Sequence, residues 1–460
     1  MATPLLIHKK DIILVQPANP TPSEVLSLST IDNEHVHESH FEVVFVYKAS
    51  SNTNSDPALV IKEALSKVLV HYYPLAGKLK RETDGKLRIT CNADGVPFLE
   101  AYADCELSSL HYLDVIDSET VKLLSFNCPS ESEYGYHPLV LRVTKFSCGG
   151  FAITMRYSHS VLDGSGAVQF YKAMAELASG KSEPTVKPVW ERERLVGTPC
   201  EDFILPLTGK SSFASSPFLP CTNVAHEFFY VTEEAIARLK MSLSRELGKI
   251  EIENFTTAEV LGAYVWRSRA RALQLSPIGN IIFCMTMGLR GRMDPPLNAG
   301  YYGNAVLYSS EVVLTRRDLE EFPLSKVAKL IKDSKKLSTS GIDFVQKMLD
   351  KRETMLQNNI KDENPTGASC MALTDWRHIG LLDEVDFGWK GVVNMVPIPW
   401  NNFLNLYVLL PPCKINSVTN GNGGLRVLVT LPEAAMAKMK DEMEILNQHG
   451  GGHIDIQSKP

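Results

Sequence analysis

The chain has no C-x-x-C pair, no G-x-S-x-G, no complete G-x-G-x-x-G and no long apolar run. Each absence removes a class. Its nine cysteines are an odd number at scattered positions, which argues against a disulfide framework or a structural zinc site and for reduced thiols. Without G-x-S-x-G there is no nucleophile elbow of a serine hydrolase. The stretch FLNLYVLLPP near Tyr407 is too short to span a bilayer and ends in two prolines. The N-terminus lacks the apolar core and small-residue cleavage site of a secretory signal, and the final QSKP matches no lipid anchor or retrieval signal. A cytoplasmic address is the expectation. Positive charge is not in excess. The net charge of −6 argues against nucleic acid or an anionic membrane as partner. No repeat recurs at a period of about 20–50 residues.

What is present reads as an ordinary globular protein with substantial cores: 460 residues, 44% hydrophobic and 22% charged. Helical periodicity runs from Asp56 to Pro74, with Asp56 as cap and Pro74 as stop. KLRITC, VPFLEAYA, PLVLRVTKF and GGFAITMRYSH alternate like strands, and DGSGAVQFYKAMAELASG reads as a helix ending at Gly180. Residues 186–225 are rich in Pro, Ser and Gly without a clear period and read as a crossover linker. Beyond them come three helical segments from TTAEVLGAYVWRSRARALQL onward, two strands around NGNGG and a final helix. The reading is an α/β protein of two domains, residues 1–185 and 226–460, joined by that linker. The histidines of NEHVHESH (His35, His37, His40) read as a solvated polar loop rather than a metal site.

RYSHSVLDGSG (156–166) holds the candidate chemistry. His159 falls on the loop leaving a strand, a common place for catalytic side chains in α/β folds. An imidazole with a pKa near 6.5 can take a proton from a hydroxyl at neutral pH. Asp163 could hold that ring, or could pin the loop by pairing with an arginine. H-x-x-x-D alone is a short motif that recurs by chance. The plain alternative is a buried histidine bonded to backbone, with Asp163 capping the helix. The G-S-G that follows resembles the start of a dinucleotide loop, but Gln169 stands where a small residue is needed.

HSVLDG with VDFGWK (385–390), YYPLAGKL (72–79), TTAEVLGAYVWRSRARAL (256–273), MGLRGRMDPPLNAGYYGN (287–304) and LTDWRHIGLLDEVDFGW (373–389) resembles the plant BAHD acyltransferase family over nearly the whole chain. The resemblance implies two chloramphenicol-acetyltransferase-like domains with a central solvent channel between them. It implies acyl-CoA as co-substrate, with no tightly bound cofactor and no metal. His159 would be the general base. Asp163 would pair with Arg290 and hold the loop rather than complete a triad. Thr374 would be the candidate oxyanion donor, with Thr256 and Trp376 beside CoA. Asp386, Phe387, Gly388 and Trp389 would be structural, tying a strand across the domains.

Three positions depart from the family pattern: Lys390 follows DFGW, Gly288 removes an acidic residue near Arg290, and Ala258 replaces an aromatic residue, which would widen the space near CoA. PANPTP, LSTID, GYYGN and VDFGW resemble the branch with taxane acetyl- and benzoyltransferases and benzyl alcohol benzoyltransferases. That implies an O-acyltransferase carrying an acetyl or benzoyl group to a lipophilic small-molecule alcohol, with a monomer sufficient. An amine acceptor, and a non-catalytic ligand-binding relative, are the alternatives. Transfer from a glucose ester would need the serine motif that is absent.

Overall fold

The computed structural model describes residues 6–449 apart from 51–54, 116–119, 121–123, 125–132, 201–212, 247–254, 310, 338–341, 359–367, 381, 383–384, 390, 399–403 and 417–423. Lys390 therefore lies outside the described residues.

Two seven-stranded mixed sheets organise the molecule. In the first, the strands run Ile7–Lys9, Val96–Ala103, Leu139–Phe146, Phe151–Ser158, His40–Tyr47 and Asn394–Ile398, with Ile13–Val15 also on Val96–Ala103. In the second the order is Val224–Val231, Leu425–Pro432, Leu406–Leu410, Cys370–Asp375, Asn280–Gly288 and Val306–Tyr308, with Val312–Thr315 also on Asn280–Gly288. Glu24–Ser27, Leu87–Cys91 and Lys78–Arg81 form a small third sheet.

Alternation in the strands decides which face is covered. Val43, Phe45 and Tyr47 project into the first core with Ile61, Leu65 and Leu69 of the helix Pro57–His71 and Phe170 and Met174 of the helix Gly164–Ala178. The first helix starts where the sequence places its cap: Asp56 accepts from the Ala58 amide at 2.9 Å. The second core is built around the helix Thr257–Ala272, buried on nearly every side. Its start is a capping box, in which Thr256 accepts from the Glu259 amide and Glu259 accepts from the Thr256 amide. Ala258 is buried in this core.

The two halves interlock. Asn394–Ile398, from the C-terminal half, pairs antiparallel with His40–Tyr47 and completes the edge of the first sheet. The four DFGW residues are themselves not a strand. Asp386 accepts from the Gly388 amide at 2.6 Å in a tight turn, and Gly388 takes φ +105°, which favours glycine. Phe387 and Trp389 then plug the first core against Tyr47, Tyr171 and Phe151. The strand that crosses between halves is the one just downstream.

The expected crossover linker is more than a tether. Arg192, 1% exposed, is fully enclosed. It reaches Asp32 at 3.2 Å and the Val161 carbonyl at 2.8 Å, and its guanidinium lies over Trp190, Tyr301 and Tyr302. These contacts join segments far apart in sequence, which periodicity cannot reveal.

Candidate active site

His159 follows directly on the strand Phe151–Ser158. Its backbone is fixed on both sides: the His159 amide donates to the Ser39 carbonyl at 3.2 Å, and Asn304 donates to the His159 carbonyl at 2.5 Å. The ring is packed against two others. His37 stacks on one face, with centroids 4.8 Å apart and planes 16° off parallel, and Phe41 meets the ring in a T-shaped contact with centroids 4.6 Å apart. Nδ1 is buried without a well-formed hydrogen bond, facing its own backbone carbonyl and the Asn304 side chain. Nε2 makes no hydrogen bond and is not buried, so it is the nitrogen open to a substrate.

Burial pushes the His159 imidazole down to about 4, and His37 pushes the same way; the negative charge of Asp163 opposes them. At neutral pH the ring is therefore uncharged and able to accept a proton.

Asp163 is turned away from His159. Arg290 holds it with both guanidinium arms, Nη1 to Oδ2 at 2.7 Å and Nη2 to Oδ1 at 2.8 Å. The same carboxylate accepts from the amides of Gly166 and Ala305 and so caps the helix Gly164–Ala178. Arg290, with these partners and burial opposed, keeps Asp163 below the usual carboxylate range. The dinucleotide-loop alternative falls here. The amide that a phosphate would use is taken by Asp163, and a Cβ on Gly166 would sit 1.9 Å from the Tyr302 carbonyl oxygen. At the Gly288 departure the space a side chain would enter is open, and Arg290 finds further partners in the carbonyls of Tyr301 and Gly303.

Behind the base lies a second buried frame. Asn304 donates to Asp32 at 2.7 Å as well as to the His159 carbonyl, and Arg192 holds Asp32. Asp32, Arg192 and Asn304 had no assigned role in the sequence reading. LSTID and GYYGN marked two of them, but only their three-dimensional meeting shows why. The three histidines of NEHVHESH part company: His35 faces Glu38, His40 meets Tyr136 and His37 stacks on His159. The solvated-loop expectation is thus wrong for His37, and for His40, which opens the strand His40–Tyr47. Among the described residues no cluster of His, Cys, Asp and Glu could hold a metal ion, and no helix is long and apolar enough to cross a membrane.

On the second sheet, Thr374 is the last residue but one of Cys370–Asp375, with 8% exposure. Thr286 donates to its hydroxyl at 2.8 Å, which leaves the Thr374 proton free for another acceptor. Trp376, two residues on, is half-buried against the first core, with its amide bonded to the Leu409 carbonyl. The exposed Thr256 is occupied in the capping box.

The model of the Transferase family matches residues 5–446. The chain belongs to this family, the BAHD acyltransferases, and is an acyl-CoA-dependent acyltransferase with the CoA thioester as co-substrate. It is 41% identical to the spermidine sinapoyl-CoA acyltransferase of Arabidopsis thaliana, over 96% of this chain and 98% of that one. To the taxadien-5-alpha-ol O-acetyltransferase of Taxus chinensis it is 32% identical, over 96% and 98%. Its fold is that of vinorine synthase (TM-score 0.73, 22% identity, 97% and 100% covered). It is also that of TRI101 from F. sporotrichioides, solved with coenzyme A and T-2 (TM-score 0.67, 17% identity, 91% and 97% covered). Two α/β bodies of the chloramphenicol-acetyltransferase type account for the two sheets.

Proposed function

We propose that this enzyme transfers an acyl group from acyl-CoA to a nitrogen of an aliphatic polyamine, with His159 as general base. The observation that carries the choice of acceptor is the 41% identity over 451 residues to a relative named for spermidine, against 32% to a relative named for a taxane alcohol. That relative is also named for a sinapoyl donor, which favours a hydroxycinnamoyl-type acyl group over the acetyl or benzoyl group expected from motifs. Acylation of a lipophilic alcohol is the second reading, supported by the full-length likeness to the taxane O-acetyltransferase.

The chemistry follows from the open Nε2 of His159. The acceptor nitrogen attacks the thioester carbonyl carbon, and the carbonyl electrons move to oxygen. Thr374 donates a hydrogen bond to that oxyanion. His159 takes the proton from the attacking nitrogen. The carbonyl re-forms, the C–S bond breaks, and the departing CoA thiolate takes the proton back from the imidazolium. Holding both substrates at one base supplies the proximity, so no acyl-enzyme is needed. Asp163 and Arg290 position the base, and Asp386 to Trp389 lock the crossing segment. Thr256 and Trp376 are assigned to the CoA side. One chain supplies every group named, so a monomer suffices, working in the cytoplasm.

The test is a donor-by-acceptor screen that follows free CoA thiol and product mass, with aliphatic polyamines and terpenoid, aromatic and aliphatic alcohols as acceptors. Polyamine-dependent thiol release with an amide product supports the reading. Release with alcohols alone replaces it with the second reading.

A further inference from the structure

The His37–His159 stack is not explained by one base acting on one proton. His37 lies in the short turn His35–Glu38. Its Nδ1 is 2.7 Å from the Ile31 carbonyl, so in the neutral ring Nδ1 carries the proton and Nε2 the free lone pair. That Nε2 makes no hydrogen bond and is not buried. Two imidazoles thus lie face to face, each with its δ nitrogen turned into the protein and its ε nitrogen open. A phenyl ring would stack equally well, and a charge on His37 makes His159 a poorer base. The nitrogen of His37 needs another reason.

An amine acceptor provides one. An alkylammonium with a pKa near about 10 is almost wholly charged at neutral pH and has no lone pair to attack with. It must lose one proton to become a nucleophile and a second as the amide forms. An alcohol loses only one.

We propose that His37 is a second base of the acceptor site, which takes the first proton from an ammonium acceptor before His159 takes the second. The inference rests on the amine reading above. In the first step the N–H bond of the ammonium breaks, its electron pair stays on nitrogen, and the proton goes to His37 Nε2. The neutral amine then attacks, and His159 removes the second proton as before. The proton stays on His37 while the amine attacks; two imidazolium rings at this spacing repel, so it passes to water only then, before the second transfer. The turn allows it, since His35 and Val36 beside His37 are exposed.

The charged neighbours are balanced. Glu34 pairs with Arg352 from the helix Ile342–Gln357, and Glu38 pairs with Arg81 from the strand Lys78–Arg81 and with His35. On the far side of His159, Asp163 is paired with Arg290.

The test measures kcat/KM for a polyamine acceptor at saturating acyl-CoA from about pH 6 to pH 10, in wild type and in His37→Phe and His37→Gln. Phenylalanine keeps the stacked ring, and glutamine keeps a polar side chain if the phenyl variant fails to fold. Wild type is expected to level off well below the acceptor's own pKa, because a base on the enzyme takes the first proton. The variants should lose at least ~10-fold at pH 7, as removal of a base does, and regain rate with unit slope toward the acceptor's own pKa. A loss equal at every pH, or none, overturns the inference while amide formation by wild type leaves the amine reading standing. A wild type that acylates only alcohols overturns the amine reading itself.

Discussion

Both carboxylate oxygens of Asp163 are held by Arg290, at 2.7 and 2.8 Å, and neither is given to His159. In H-x-x-x-D the aspartate therefore acts on the loop and on the following helix, not on the imidazole.

Asp163→Asn should then behave as a structural lesion with a catalytic consequence. It leaves Arg290 without its charged partner beside a buried side chain, a change that typically costs about 3–5 kcal/mol. Urea unfolding checks the stability and initial rates check turnover, and both should fall. Full stability with lost activity would instead point to a direct catalytic role.

Thr374→Val removes the one proton that the Thr286–Thr374 pair leaves free. Turnover should fall by about 10²–10³-fold, as for other lost oxyanion donors, while CoA binding stays near normal. Calorimetric titration with CoA and steady-state rates separate the two. An unchanged kcat would remove Thr374 from the mechanism.

Acid should destabilise the fold between about pH 6.5 and pH 4. His159, His40 and His226 are each pushed down to about 4, burial being the largest cause, with Arg156 adding to the effect at His40. The unfolded chain takes up these protons near 6.5, so the stability present above that value is lost as pH falls toward the folded pKa. Glu42, raised to about 7 by burial against the opposing pull of Arg156, works the other way. Its share is complete below its unfolded pKa and is lost as pH rises through 7. His137 is lowered too, chiefly by burial, and four histidines against one glutamate give a net decline, seen as a lower Tm at pH 5 than at pH 7.5. A higher Tm at pH 5 would contradict it.

The local grammar of the chain was readable. The strand that delivers His159 and the helix capped by Asp163 stand where spacing puts them, whereas the capping box that Thr256 closes with Glu259 appeared only in the structure. The pairing of Asp163 with Arg290 came from family likeness, because nothing in either segment alone indicates it. What stayed hidden was long-range meeting. Arg192 sits in a Pro- and Ser-rich stretch yet anchors Asp32 in a dry interior, and His37 sits in a polar run yet covers the base. Polarity predicts exposure only until a distant segment supplies a partner.

The central claim is that His159 drives acyl transfer from CoA to an amine. The direct measurement is CoA thiol release by wild type and by His159→Ala, with an aromatic acyl-CoA and a polyamine, beside a circular dichroism check of the fold. The account predicts amide formation by wild type and a loss of at least ~10²-fold in a folded variant. Near-normal turnover in His159→Ala would contradict it.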